Sequence, residues 1–115
     1  MSDCIFCKIA NKEINSNVVF EDDMVIAIRD LDPKAPEHVL IIPKKHIASV
    51  NEFQDSDKEL AAHILVDVVQ KVASKLNIDK SGYRVVINTG DDGGQTVHHL
   101  HVHILGGRSM TWPPG

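Results

Sequence analysis

His99-Leu100-His101-Val102-His103 sets three imidazoles two residues apart, the period that places side chains on one face of a β-strand. The alternate residues Leu100, Val102 and Ile104 are apolar and are left to face a hydrophobic layer on the other side. Each imidazole can take or give a proton, ligate a metal or attack an electrophile. Leu100 to Leu105 is therefore expected to be a central strand with chemistry on one side. A single strand histidine is ordinarily a satisfied structural residue. Three in register, with Asn88, Gly93, Gly94 and Thr96 upstream and Gly106 and Gly107 downstream, point instead to a site.

Working outward from that strand, Tyr83 to Ile87 reads as its predecessor, and Gly90 to Gly94 as a loop of Asp and Gly. Further upstream, Leu60, Ile64, Leu65, Val68, Val69, Val72 and Leu76 recur at helical spacings behind Ser56-Asp57-Lys58-Glu59. That tetrapeptide has the S-x-x-E form of a capping box, so a long helix with one apolar stripe is predicted, ended at Asn77. Val39-Leu40-Ile41-Ile42 reads as a fully apolar strand closed by Pro43. Val18 to Glu21 and Met24 to Arg29 form a hairpin about Asp22-Asp23, and Ile5, Phe6 and Ile9 give an apolar side to a short N-terminal helix. Five strands, one long helix and no βαβ repeat predict an α+β fold, an antiparallel meander covered on one face.

No second domain or internal repeat is visible, so residues 1–115 are expected to form one domain. A chain of this length buries only about two-thirds of its unfolded surface, and dimerisation would help it. Twelve basic against sixteen acidic residues give a net charge of −4, and no basic block is interleaved with aromatics. Extended nucleic acid and anionic membrane are therefore poor partners, whereas backbone donors can still hold one phosphate. Met1-Ser2-Asp3-Cys4 lacks the features of a secretory leader, and no apolar run approaches the roughly 20 residues of a membrane span, so a cytoplasmic location is expected.

Two constellations carry chemistry. In the first, the Gly93-Gly94 loop can bring backbone N–H groups to an anion, with Thr96 adding a hydroxyl and Asn88 an amide. His101 can serve there as nucleophile with His103 beside it as a phosphate donor. A neutral imidazole attacks phosphorus well, and the phosphoimidazolium formed is labile to water. In the second, Cys4 and Cys7 have the C-x-x-C spacing for one metal ion, and His46 and His99 would complete a tetrahedral zinc site. The same cysteines can be a redox pair or two unlinked residues. Trp112 in the Trp112-Pro113-Pro114-Gly115 tail is either a packing anchor or part of a substrate or dimer contact.

The run Val97-His98-His99-Leu100-His101-Val102-His103-Ile104-Leu105-Gly106-Gly107-Arg108 resembles the signature of the histidine triad (HIT) superfamily. Ile5-Phe6-Cys7-Lys8-Ile9, Ile42-Pro43-Lys44-Lys45-His46, Gly93-Gly94-Gln95-Thr96 and the tail are more closely similar to its nucleotide-binding Hint branch. The resemblance implies a homodimer whose five-stranded sheets join across a two-fold axis, with a purine nucleoside monophosphate pocket in each subunit. It implies hydrolysis of adenosine 5′-phosphoramidates to AMP and an amine, with the nucleophile at His101 and the second phosphate-contacting imidazole at His103. Asn88, Gly94, Thr96 and the Val97 backbone would hold the phosphate, Asp30 the ribose, and Ile5, Phe6, Ile9, Ile28 and Leu31 the base. Ile28 stands where the family often has Phe. The Cys4/Cys7 pair resembles part of a structural zinc site in microbial relatives, completed by His46 and His99.

Two other functions compete with a phosphoramidase. A dinucleoside polyphosphate hydrolase of the Fhit-like branch is the nearest enzyme; its His-Gln-His pattern differs from His99-Leu100-His101. A zinc-stabilised interaction protein with little catalysis is the alternative outside enzymology.

Overall fold

The two most apolar runs of the chain, residues 25–28 and 39–42, become the middle of a five-stranded antiparallel sheet in a computed structural model that describes residues 4–115. Residues 1–3 of the expected 1–115 domain, with most of the N-terminal segment read for a leader, lie outside the described residues. In chain order the elements are helix α1 (Ile5–Ala10), strands β1 (Val18–Glu21), β2 (Val25–Arg29) and β3 (Glu37–Pro43), a long helix α2 over residues 58–75, then β4 (Tyr83–Val86) and β5 (Val102–Gly106).

The sheet order is β1-β2-β3-β5-β4. A plain meander holds only for the first three strands; the last strand inserts between β3 and β4, with Leu40 opposite His103 on one side and Val86 opposite His103 on the other. The excursion through α2 carries the chain from β3 past one strand position to the far edge, and β5 then fills the gap. Period-two patterning sorts faces and says nothing about neighbours, which is why the insertion is invisible to it.

Both faces of the sheet are covered, not one. Val25, Ala27, Val39, Ile41, Leu100, Val102 and Ile104 pack on the buried stripe of α2, while Ile26, Ile28, Leu40 and Ile42 receive Phe6, Ile9 and Ala10 of α1. Continuous apolar runs in β2 and β3 are what a strand buried on both sides requires. Alternation within β5 therefore turns Val102 and Ile104 to α2 and leaves His103 on the α1 side.

The cap of α2 sits elsewhere than the S-x-x-E reading placed it. Ser56 is exposed; the backbone N–H of Gln54 donates to the Asp57 carboxylate at 2.9 Å, and the Lys45 ammonium pairs with the same buried carboxylate. This tie to the end of β3 starts the helix through a 3₁₀ turn at Asp55–Asp57. Within α2, residues 63–68 widen into a π turn. The extra residue shifts the helical phase, so Ile64 and Val68 stay in the core while Leu65, assigned to the stripe by spacing, is 50% exposed. Asn77, at φ 59°, ends the helix as expected.

At the entry to the sheet, the Asp22 carboxylate accepts from the N–H groups of Met24 and Val25 at 2.8 and 2.9 Å, closing the β1–β2 turn. His63 joins that turn to α2, its Nε2 2.7 Å from Asp22 and its Nδ1 3.1 Å from Asp67. Gly106 closes the other end: a Cβ there would stand 2.7 Å from Ile78 Cδ1, so the absence of a side chain lets the α2–β4 connection lie on β5. Among the described residues, no helix is long and apolar enough to cross a membrane.

Candidate active site and metal cluster

The histidine row is not one strand. His103 lies within β5, His101 immediately before it, and His99 in a bend, because β5 pairs with β3 only from Val102 onward. The three imidazoles therefore divide between two sites that share a wall.

The first site is a cavity of about 250 Å³ on the α1 side of the sheet. Ile5, Phe6, Ile9, Ile28, Leu31 and Leu40 supply apolar lining; Asp30, Thr96, Val97, His101 and His103 bring polar groups to it. Asn88 and Gly94, read with the phosphate group, do not line this cavity. The loop that carries Thr96 and Val97 is held by buried Gln95. Its amide donates to Ala48 O at 2.6 Å and Val97 O at 3.0 Å, and its carbonyl accepts from Gly90 N at 3.1 Å. Leu31 is almost wholly exposed at the rim, and Ile5 is half exposed. Trp112 is 82% exposed, so it anchors no packing within this chain.

Hydrogen bonds fix the ring tautomers. A carbonyl only accepts, so the 2.8 Å contact between His101 Nδ1 and His99 O is donated by the ring. In the neutral ring the lone pair is then on Nε2, as a nucleophile needs. The second chain begins at Lys34, whose backbone N–H donates to His38 Nδ1 at 3.1 Å. His38 Nε2 thus carries the proton and donates to His103 Nδ1 at 3.0 Å, with Asp30 Oδ2 farther off at 3.5 Å. The remaining proton of His103 is on Nε2, which is buried without a hydrogen-bond partner. A buried unpaired donor is costly, and this one stands beside the cavity that His103 lines. Burial, followed by the neighbouring imidazoles of His101 and His38, pushes His103 down to about 4, which keeps the ring neutral at pH 7. Burial also lowers His38.

His38 is the site residue that sequence reading missed. It heads the apolar run of β3, two residues before Leu40 and four before Ile42, on the face that receives α1. A histidine in phase with a buried apolar face is a polar group that needs a partner, and that phase was the available signal.

Asp30, read as the ribose ligand, sits at the cavity edge just after β2. Its Oδ1 accepts from the Asp32 N–H at 2.8 Å, which orients the carboxylate while leaving lone pairs for further donors.

The second site brings together Cys4, Cys7, His46 and His99, whose candidate ligand atoms all lie within 4.8 Å of one another. His99 Nδ1 is 3.3 Å from Cys4 Sγ, 3.5 Å from Cys7 Sγ and 3.2 Å from His46 Nδ1, and His46 Nδ1 is 3.3 Å from Cys7 Sγ. Bonds of about 2.3 Å to sulfur and about 2.0 Å to nitrogen set the edges of a tetrahedron at about 3.3–3.8 Å, so the cluster fits one ion. His99 Nε2 donates to Pro43 O at 2.8 Å, which leaves Nδ1 as the free lone pair facing the cluster. The sites meet at His99: its ring belongs to the cluster and its carbonyl holds His101. The Asp22–His63–Asp67 group lies apart from both and serves the hairpin.

A family model described as the HIT domain matches residues 11–110. The chain is 50% identical over 113 residues to an uncharacterized HIT-like protein of Synechococcus elongatus, covering 98% of this chain and 97% of that protein. It is 48% identical to a 14 kDa zinc-binding protein of Zea mays, over 99% of this chain and 89% of that one. Among solved structures, a HIT family hydrolase from Legionella pneumophila superposes with a TM-score of 0.95 at 54% identity, covering 98% of this chain and 100% of that one. A histidine triad protein from Clostridium difficile gives 0.92 at 50%, with 96% of each chain covered. With the match spanning most of the chain and relatives covered nearly end to end, the protein belongs to the HIT domain family.

Proposed function

We propose that the protein is a hydrolase of the Hint branch that cleaves the P–N bond of purine nucleoside 5′-phosphoramidates through a nucleotidyl-histidine intermediate. The observation that carries this reading is the opposed pair of tautomers: a lone pair on His101 Nε2 beside an unpaired N–H on His103 Nε2. His101 Nε2 would form a bond to phosphorus as the P–N bond breaks, the departing amine taking a proton from solvent. His103 Nε2–H would donate to the phosphate oxygens, where preorganised donors contribute most as charge shifts. Thr96, the Val97 backbone, Gly94 and Asn88 would complete the phosphate shell, the last two after a loop adjustment on binding. Water would then attack the intermediate, releasing AMP and restoring neutral His101.

Asp30 would accept from the ribose hydroxyls, and Ile5, Phe6, Ile9, Ile28 and Leu31 would enclose the purine through non-directional contacts. Cys4, Cys7, His46 and His99 would hold one structural Zn²⁺, a reading supported by the two-sulfur, two-nitrogen donor set and by the zinc-binding name of the maize relative. Four protein ligands leave that ion no open position for substrate. The free edge of β4, with Val85 exposed on it and Leu65 and Val66 exposed on α2, supports a homodimer in which two sheets join.

The test compares an adenosine phosphoramidate with diadenosine tri- and tetraphosphate, alongside a single-turnover trap of label on His101 quenched in alkaline denaturant, where a phosphorylated imidazole survives, and metal analysis. Preferred P–N cleavage, label lost in His101→Ala and one zinc per chain are expected. Faster cleavage of the dinucleotides would favour the polyphosphate hydrolase, and turnover by His101→Ala would sink the mechanism.

A further inference from the structure

We propose that Cys4 and Cys7 are an oxidation site through which a peroxide releases the metal and unfastens α1 from the nucleotide pocket. The inference rests on the nucleotide and metal readings above and adds regulation to them. Its basis is where the cluster stands. Cys4 caps α1, its Sγ accepting from Cys7 N at 3.4 Å, and Cys7 lies in the first turn. The same helix supplies Ile5, Phe6 and Ile9 to the cavity, and the Phe6 ring meets His101 edge-on at 4.9 Å.

A helix of six residues does not hold its shape alone. Its fastenings are the packing of Phe6, Ile9 and Ala10 on the sheet and the two sulfurs beside His46 and His99. Cys4 and Cys7 are partly exposed and His46 is exposed, so a small oxidant reaches the sulfurs from solvent while His99 stays buried.

The chemistry closes without another reactant. One sulfur attacks a peroxide oxygen and becomes a sulfenic acid as the O–O bond breaks; the second sulfur displaces the sulfenic oxygen to form S–S. Two thiolates, two protons from solvent and one hydrogen peroxide yield one disulfide and two waters, the thiolates oxidised and the peroxide reduced. An ion held by the four residues would keep only His46 and His99 and would pass into solution. An S–S bond of about 2.0 Å draws both sulfurs toward each other and away from His99 and His46. The N-terminus of α1 is released from the β3 end and from residue 99, while the His38–His103 pair on β3 and β5 is untouched.

Zinc-loaded, reduced protein is treated with hydrogen peroxide, and four quantities are followed: zinc captured by a chromophoric chelator, free thiols, amide exchange across residues 5–10, and AMP affinity by calorimetry. One zinc should be freed as two thiols disappear, exchange in α1 should rise, and AMP should bind about tenfold more weakly, as when the competent pocket is populated a tenth of the time. Dithiothreitol with Zn²⁺ should reverse all four changes, which separates this reaction from methionine oxidation. Cys4→Ser/Cys7→Ser should match the oxidised protein and ignore peroxide; because that variant can lose its fold, reduced wild-type protein stripped by a chelator provides a second comparison with the same expected affinity. Zinc retained after oxidation, or AMP affinity within twofold after zinc leaves, would overturn the proposal with the nucleotide reading intact. Failure of the reduced, loaded protein to bind AMP would overturn the nucleotide reading and this proposal with it.

Discussion

Among the described residues, replacing His38 by Leu removes the only donor to His103 Nδ1 while keeping apolar bulk in β3. Two hydrogen bonds go: the one accepted from Lys34 N at 3.1 Å and the one donated to His103 Nδ1 at 3.0 Å. Lys34 is exposed, so water replaces its partner; the His38–His103 contact is part-buried, and leaving a buried acceptor unpaired there costs up to about 1–3 kcal/mol of stability. The larger effect is on the tautomer. With nothing donating to Nδ1, His103 can carry its proton there, and would then present a lone pair to the phosphate of the proposed substrate in place of an N–H. Loss of one preorganised donor to a developing anion costs about 2.7–4 kcal/mol, or a fall in kcat of about 10²–10³-fold. His38→Gln, whose amide can donate from a similar reach, should recover part of it. Nitrogen-correlated NMR of ¹⁵N-histidine protein reads the tautomer independently of turnover: His103 should carry its proton on Nε2 in the wild type and lose that preference in His38→Leu. A kcat for His38→Leu within threefold of wild type, or an unchanged His103 tautomer, would refute the relay.

Three further outcomes are expected. His103 titrates near 4 in the folded chain against about 6.5 unfolded, so the unfolded state takes up the proton first as pH falls; stability is full above pH 6.5 and declines toward pH 4, by up to about 3 kcal/mol, and urea midpoints of wild type and His103→Asn should converge over that window. His63 behaves oppositely: the Asp22 carboxylate, then Asp67, raises it, so its contribution is present below pH 6.5 and fades as pH climbs through the raised value; the wild-type advantage over His63→Gln should shrink from pH 6 to pH 9. Adenosine phosphoramidate should be cleaved with higher kcat/KM than its 2′-deoxy analogue, and Asp30→Asn should narrow the gap, since the amide has one acceptor oxygen where the carboxylate has two; equal efficiencies in wild-type protein would remove Asp30 from ribose recognition.

The sorting of side chains was legible because period two is a strict rule: Val102 and Ile104 went to α2 and His103 to the cavity on spacing alone. The metal cluster was legible because C-x-x-C can hold one ion if partners are found, and His46 and His99, three residues beyond β3 and three before β5, meet it at the start of α1. What escaped was set by tertiary contacts. Asp57 caps α2 because Lys45 draws it inward, and Leu65 faces out because a π turn alters the phase; neither cause is visible in a local window. His38 escaped for another reason: the apolar strand was read as beginning at Val39, which left His38 outside it, although it is in phase with Leu40 and Ile42 on the same face.

The insertion of β5 between β3 and β4 also fixes when the molecule can come into being. During synthesis β1, β2 and β3 can pair as they emerge, but the inner edge of β3 has no neighbour until residues 102–106 are made. His103 therefore meets His38 across 65 residues of chain, and the cluster is closed by His99 across 92 and 95. Such distant closures slow folding, and an uncovered central edge can pair with other chains while it waits. A nascent chain halted before residue 99 would hold neither site and would expose the flank of β3, so a ribosome-bound series of increasing length should show a single late step at which aggregation is suppressed and metal is first retained.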